Sequence, residues 1–141
     1  MTSLVFPDIN VWLALASSLH VHHQQAKRWY DSLEDEDLVF CRFTQLGLLR
    51  LLTTQAVMGT ATLTQRQAWH VYDVFLKDGA SRFLYEPRTL EDSFRQLSQR
   101  SSASPKDWAD SYLAAFAHEI GAKLITFDQA LAARSKDAIL L

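Results

Sequence analysis

Short apolar runs alternate with longer stretches of helical period along the chain. Ser3-Leu4-Val5-Phe6-Pro7 has the length and character of a short buried strand, and residues 11–16 follow as a helical segment. Further on, His22, Ala26, Trp29, Tyr30 and Leu33 recur on one face of a 3.6-residue period, which predicts a helix over 22–33. Asp35-Glu36-Asp37 breaks that pattern, and residues 38–41 predict a second strand. Thr44 is placed to cap a helix through about residue 54 that buries Leu48, Leu49, Leu51 and Leu52. Thr64, with Gln67 three positions on, is a capping-box pattern that opens a helix to Lys77, and Asp78-Gly79 ends it. Residues 82–85 predict a third strand. Thr89 with Asp92 repeats the capping pattern ahead of a helix ending near Arg100.

After the Ser101-Ser102-Ala103-Ser104 loop the start signal is stronger. Ser104 is the expected N-cap, Pro105 the first helical residue and Asp107 the third, with Gly121 suited to the position past Ile120. Residues 123–126 then predict a strand, 128–134 a short helix and 138–140 a last strand. Short apolar strands separated by helices predict an α/β fold of three layers, a central mainly parallel sheet with helices on both faces. The expectation is one domain over residues 1–141. In such open sheets the strand C-termini line the crevice where ligands bind, and Asp8 and Asp128 both fall at or just after such ends.

Composition narrows the classes. With 141 residues, 48% apolar and 21% charged, the chain can build one substantial core. Asp8, His20 and Arg50 interrupt every apolar stretch before it reaches the length that spans a bilayer, and the N-terminus lacks the basic segment of a secretory signal. Cys41 is the sole cysteine, so an internal disulfide and a paired-cysteine metal site are both excluded, and the expected location is cytoplasmic with no membrane partner. A net charge of −2 supplies no global field for nucleic acid, so such a partner needs local positive charge, for which Arg42, Arg50, Lys106 and Arg134 are candidates, or a metal facing phosphate.

Three aspartates carry the candidate chemistry: Asp8, Asp110 and Asp128, each in or beside an apolar segment. Asp8 and Asp128 also read as helix N-caps, a role compatible with a site because backbone dipoles favour an acid there. Asp110 lies at the margin of the arc formed by Trp108, Tyr112, Phe116 and Ile120, whereas Asp107 lies on the polar side with its capping role. If folding gathers the three, their repulsion calls for a cation, and oxygen-only ligands favour Mg²⁺ or Mn²⁺ over zinc. His20, His22 and His23 lack the cysteine or nearby carboxylate of a structural zinc site, and packing or helix-start roles suit them better. His70 and His118 are isolated, Cys41 reads as a buried strand residue rather than a nucleophile, and there is no glycine-rich phosphate loop.

Four segments in order resemble the PIN-domain ribonucleases, particularly the toxins of VapBC-type bacterial toxin–antitoxin modules. They are Asp8-Ile9-Asn10-Val11-Trp12-Leu13-Ala14-Leu15, Thr44-Gln45-Leu46-Gly47-Leu48-Leu49-Arg50, Asp110-Ser111-Tyr112-Leu113-Ala114-Ala115-Phe116-Ala117 and Leu124-Ile125-Thr126-Phe127-Asp128. The resemblance spans essentially the whole chain. It implies a PIN-like fold and a metal-dependent endoribonuclease with Asp8, Asp110 and Asp128 holding Mg²⁺ or Mn²⁺. Cleavage would leave 5′-phosphate and 3′-hydroxyl ends. Gln45 stands where the family places a glutamate, so a charge and a carboxylate base are missing there. Thr126 is implied as a polar site residue, and Thr126, Arg50 and Lys106 are the candidates to contact the RNA substrate. The resemblance also implies a homodimer and a small cognate antitoxin, with apolar contacts from Leu51-Leu52 and Trp69-Val71-Tyr72 if these are not core. A PIN-like protein that binds RNA or protein without cutting, and a phosphatase-like hydrolase, remain the alternatives. The latter would need the paired Asp-x-Asp that Asp8-Ile9-Asn10 lacks.

Overall fold

In the computed structural model, which describes residues 2–141, the chain runs β1 (Ser3–Pro7), α1 (Ile9–Ala16), α2 (His23–Asp31), β2 (Glu36–Phe40) and α3 (Arg42–Leu52). A short α4 (Gln55–Met58) and a 3₁₀ turn (Gly59–Ala61) lead to α5 (Gln65–Lys77) and β3 (Ser81–Phe83). The rest is α6 (Leu90–Leu97), α7 (Asp107–Ile120), β4 (Ala122–Thr126), α8 (Gln129–Ala132) and β5 (Ile139–Leu140). The strands form one sheet in the order β3-β2-β1-β4-β5, and every pairing is parallel. This is the expected three-layer α/β/α architecture.

Strand periodicity of two explains the layers. Val5, Leu38, Phe40 and Ile125 face one side and pack with Trp12, Leu48, Leu52 and Tyr72. Phe6, Val39 and Leu124 face the other and pack with Leu90, Leu113, Phe116 and Leu131. Each such side chain contributes about 1.5–3 kcal/mol when fully buried. Trp12 stacks on Phe40 with ring centroids 3.7 Å apart, which joins α1 to β2. Gly47 lets α3 approach α1: a Cβ at that position would meet Ile9 Cδ1 at 2.2 Å.

Several starts differ from expectation. The acidic break does not stop β2, which begins at Glu36 because backbone pairing with Ser3 of β1 overrides polarity. Cys41 is not a strand residue; it is the N-cap of α3, and Thr44 is the third helical residue, whose hydroxyl accepts from Cys41 N at 3.0 Å. Thr64 and Gln67 form the reciprocal box as expected. Thr89 has helical backbone angles, so its side chain caps nothing, and α6 stops at Leu97. Nor does Ser104 cap α7. Residues 104–107 form a turn closed by Asp107 N donating to Ser104 O, and the helix begins at Asp107. Gly121 ends it at φ 69°, the left-handed conformation expected there. Leu52 and Tyr72 are core residues and Leu51 and Val71 pack against the core, so of the apolar positions considered for a dimer face only Trp69 stays substantially exposed.

Candidate active site

The register of β1 against β4 places the first two polar groups side by side. Pro7 pairs with Ile125, and the next residues, Asp8 and Thr126, emerge together at the C-terminal edge of the sheet. Asp8 is 6% exposed and Thr126 fully buried. Thr126 Oγ1 donates to Asp8 Oδ2 at 2.5 Å and accepts from Asp128 N at 2.9 Å. One hydroxyl thus uses its proton and a lone pair to tie the first aspartate to the third. Asp8 Oδ1 accepts from Val11 N at 3.0 Å, so its capping role and its place at the sheet edge coexist. Asp128 is exposed and caps α8, its Oδ1 accepting from Ala130 N at 2.8 Å and Leu131 N at 3.3 Å.

Asp110 arrives from α7, partly exposed, one turn in from the helix start. Burial pushes its carboxyl above the usual carboxylate range, and the charge of Asp128 adds to the rise while Arg134 opposes it. Burial likewise raises Asp8; the bonds from Thr126 and Val11 pull it down without cancelling the rise, and Asp128 pushes it further up. Asp128 is therefore the charge that both others feel. As the side chains stand, no three or more His, Cys, Asp or Glu groups among the described residues lie close enough together to hold a metal ion. Asp8 and Asp128 share one edge of the sheet and Asp110 feels the charge of Asp128, but among the described residues the three do not close into a ligand cluster.

The other candidates divide. Gln45 is buried on α3, and its Oε1 accepts from Arg42 Nη1 at 2.7 Å. Its carboxamide oxygen is therefore engaged by Arg42 of the same helix, and Arg42 lies over the Phe83 ring. Arg50 is exposed and lines a cavity of about 550 Å³ with Ile9, Phe43, Leu46 and Trp69. Lys106 is exposed at the residue preceding α7. Thr126, expected to contact substrate, is enclosed; with no exposed surface it reaches anything only through Asp8 and Asp128.

A second network lies one turn from Asp110. Arg134, whose side chain is 14% exposed, donates to Asp107 Oδ1 at 2.5 Å, to Leu97 O at 2.5 Å and to Ser111 Oγ at 2.6 Å. Arg100 Nε reaches Asp107 Oδ2 at 3.2 Å. For the Asp107 carboxyl, the rise that burial causes is outweighed by Arg134, Arg100 and the Ser111 bond, which hold it below the usual range. Arg134 is thus no free phosphate contact: it joins the end of α6, the start of α7 and the residues after α8. Nothing local in the sequence marks this role, because Arg134 and Asp107 are 27 positions apart.

Comparisons with known proteins agree with this fold. The PIN domain family model matches residues 5–137. Ribonuclease VapC41 of Mycobacterium tuberculosis is 45% identical over 130 residues, covering 87% of this chain and 88% of that protein. Among solved structures, Mycobacterium tuberculosis VapC20, described as a Sarcin-Ricin loop cleaving toxin, superposes with a TM-score of 0.71 at 18% identity, covering 99% of this chain and 100% of that one. VapBC2 from Rickettsia felis, bound to a DNA fragment from its promoter, has a TM-score of 0.63 at 12% identity and covers 98% and 97%. At those identities the two structures speak for the fold.

Proposed function

This chain belongs to the PIN domain family and is related to the VapC-type toxins of bacterial VapBC toxin–antitoxin systems, and on that premise we propose that it is a metal-dependent endoribonuclease, the toxin of such a pair. The observation that carries the reading is electrostatic. Asp8 and Asp110 are both raised by burial and by the charge of Asp128, and among the described residues no salt bridge to a lysine or arginine neutralises any of the three. Oxygen-only donors whose repulsion is only partly offset, by Arg134 at Asp110 and by the Thr126 and Val11 bonds at Asp8, fit a hard divalent cation.

Asp8, Asp110 and Asp128 are the residues that would hold Mg²⁺ or Mn²⁺. When bound, the ion supplies positive charge against the charge that develops on the scissile phosphate and lowers the pKa of the attacking water. The chain's own groups do the rest. Thr126 holds Asp8 Oδ2 and the Asp128 backbone in fixed relation, so it is a positioning residue. Asp110, partly exposed and with raised proton affinity, is suited to take the proton of the attacking water. Lys106 and Arg50, both exposed, are the cations we assign to the RNA backbone. In-line attack leaves 5′-phosphate and 3′-hydroxyl ends.

We further assign a small protein antitoxin and a second copy of the chain as partners, with Phe43, Leu46 and Trp69 around the 550 Å³ cavity as the contact face. No helix among the described residues is long and apolar enough to cross a membrane. One observation favours a second reading: Gln45 brings no charge, and its carboxamide is held by Arg42. A protein that binds RNA without cutting it would show metal-independent binding and no products. The deciding experiment incubates the purified chain with mixed structured RNAs, with and without Mg²⁺ or Mn²⁺, and maps the cut ends. Metal-dependent 5′-phosphate ends are expected; intact RNA under all conditions would refute the nuclease assignment.

A further inference from the structure

The three histidines that no metal site absorbs have a definite place. His22 lies flat against Phe127, with ring centroids 4.4 Å apart and planes 21° from parallel. Phe127 sits between Thr126 and Asp128, and the bond from Asp128 N to Thr126 Oγ1 closes that three-residue stretch, so the stack is fixed beside the acidic edge. The other partner is anchored too. His22 N donates to His20 Nδ1 at 3.0 Å, His22 O accepts from Ala26 N at 2.9 Å in the first turn of α2, and His23 Nδ1 meets Ala14 O at 2.7 Å. Yet His22 itself is exposed. The nearest other ring, His20, is 5.8 Å away and tilted by 43°, so it makes no parallel lid.

A flat ring backed by a second ring, held by its backbone and open to solvent, is what an unpaired base requires. Single-stranded RNA is recognised by bases splayed onto aromatic faces, a contact that tolerates every base because each has a π-face. We propose that the open face of His22, backed by Phe127, is a base-binding subsite that receives a nucleobase of single-stranded RNA next to the phosphate held at Asp8, Asp110 and Asp128. The proposal rests on the ribonuclease reading and deepens it, since it assigns a flanking base and hence an unpaired substrate. Leu19 and Val21, 77% and 86% exposed in the same loop, are aliphatic and would suit a protein instead; the planar stack and its position beside Asp128 favour the base.

The test uses short single-stranded RNAs carrying 2-aminopurine at successive positions, whose fluorescence falls when the base stacks. Binding is read without added divalent metal, and cleavage is followed in parallel with Mg²⁺. For the wild-type chain, one position is expected to quench. In His22→Ala the quench disappears and binding weakens about 5- to 150-fold, the range for losing one base–aromatic stack. In His22→Trp it returns, and an abasic site at that position weakens the wild type but not His22→Ala. Cleavage should show the loss in KM, with kcat little changed. Wild-type binding and quench in His22→Ala would overturn the subsite even if that variant lost its grip on a purified cognate protein inhibitor, which would assign the loop to protein. The absence of any RNA binding would overturn it as well. Quenching that depends on His22 without cleavage would leave the subsite standing and sink the nuclease reading, and cleavage without such quenching would do the reverse.

Discussion

Asp107 and Asp110 lie one turn apart on the same helix and meet opposite surroundings. Asp107 is clasped by Arg134 and Arg100 and bonded by Ser111, and its carboxyl is held below the usual range against the effect of burial. Asp110 feels the charge of Asp128 and has no ion pair among the described residues, and burial and that charge hold it above the range. Identical side chains thus divide into a structural acid whose charge is neutralised and a candidate ligand whose charge is not. The lesson is that an unneutralised carboxylate is the informative one, since its repulsion is a cost the fold carries until something else offsets it.

The comparison breaks most visibly in activity. Asp110→Asn and Asp8→Asn are expected to lose metal-dependent cleavage by on the order of 10²- to 10³-fold while remaining folded. Asp107→Asn should cut at close to the wild-type rate at a temperature where it is folded. Single-turnover cleavage with circular dichroism on the same samples checks both, and a reversed ranking of the two aspartates would dissolve the distinction.

Stability should move the other way. Arg134→Met leaves Asp107, Ser111 Oγ and Leu97 O without their shared donor and is expected to cost about 2–3 kcal/mol in urea unfolding. An unchanged midpoint would mean that the network carries little of the fold.

The pH dependence separates the two sites by sign. Asp107 is depressed in the folded state, so its contribution is present above the usual carboxylate pKa and fades as pH falls through the lower folded value. Asp8 and Asp110 are raised, so the folded chain binds their protons more tightly than the unfolded chain does. Stability is therefore lost as pH climbs from the ordinary carboxylate value through the raised ones. Asp8→Asn removes that loss and should melt above wild type at neutral pH in EDTA. Adding Mg²⁺ should raise the wild-type Tm and leave the variant's nearly unchanged. A variant that melts below wild type in EDTA would show that Asp8 is stabilising as it stands.

The smallest change is expected from Gln45→Glu. A glutamate there would take up the bond from Arg42, 2.7 Å away in the present chain, so Mg²⁺ dependence should shift little. A marked gain in metal affinity or rate would instead place the position in the site.

What the sequence made legible was local. The strands were visible because Val5 and Phe6, or Leu124 and Ile125, alternate between two cores with a period of two. Thr64–Gln67 and Gly121 marked helix ends because both signals act within one turn. The PIN-like pattern named Asp8, Asp110 and Asp128, and register alone set Asp8 beside Thr126. The missing parts join distant residues or turn on competition between local signals. Thr44 had the chemistry of a cap, yet Cys41 took that position. Asp107 read as a helix-start acid because its partner, Arg134, lies far along the chain. The His22–Phe127 stack joins residues 105 positions apart (127 − 22), and no spacing rule reaches that far.

The most direct test of the central distinction is Mg²⁺ binding by calorimetry together with RNA cleavage and end-mapping in three proteins: wild type, Asp110→Asn and Asp107→Asn. Wild type and Asp107→Asn are expected to bind the ion and produce 5′-phosphate ends, while Asp110→Asn does neither. Equal binding and cleavage in Asp110→Asn and wild type, or no metal binding in any of the three, would contradict the account.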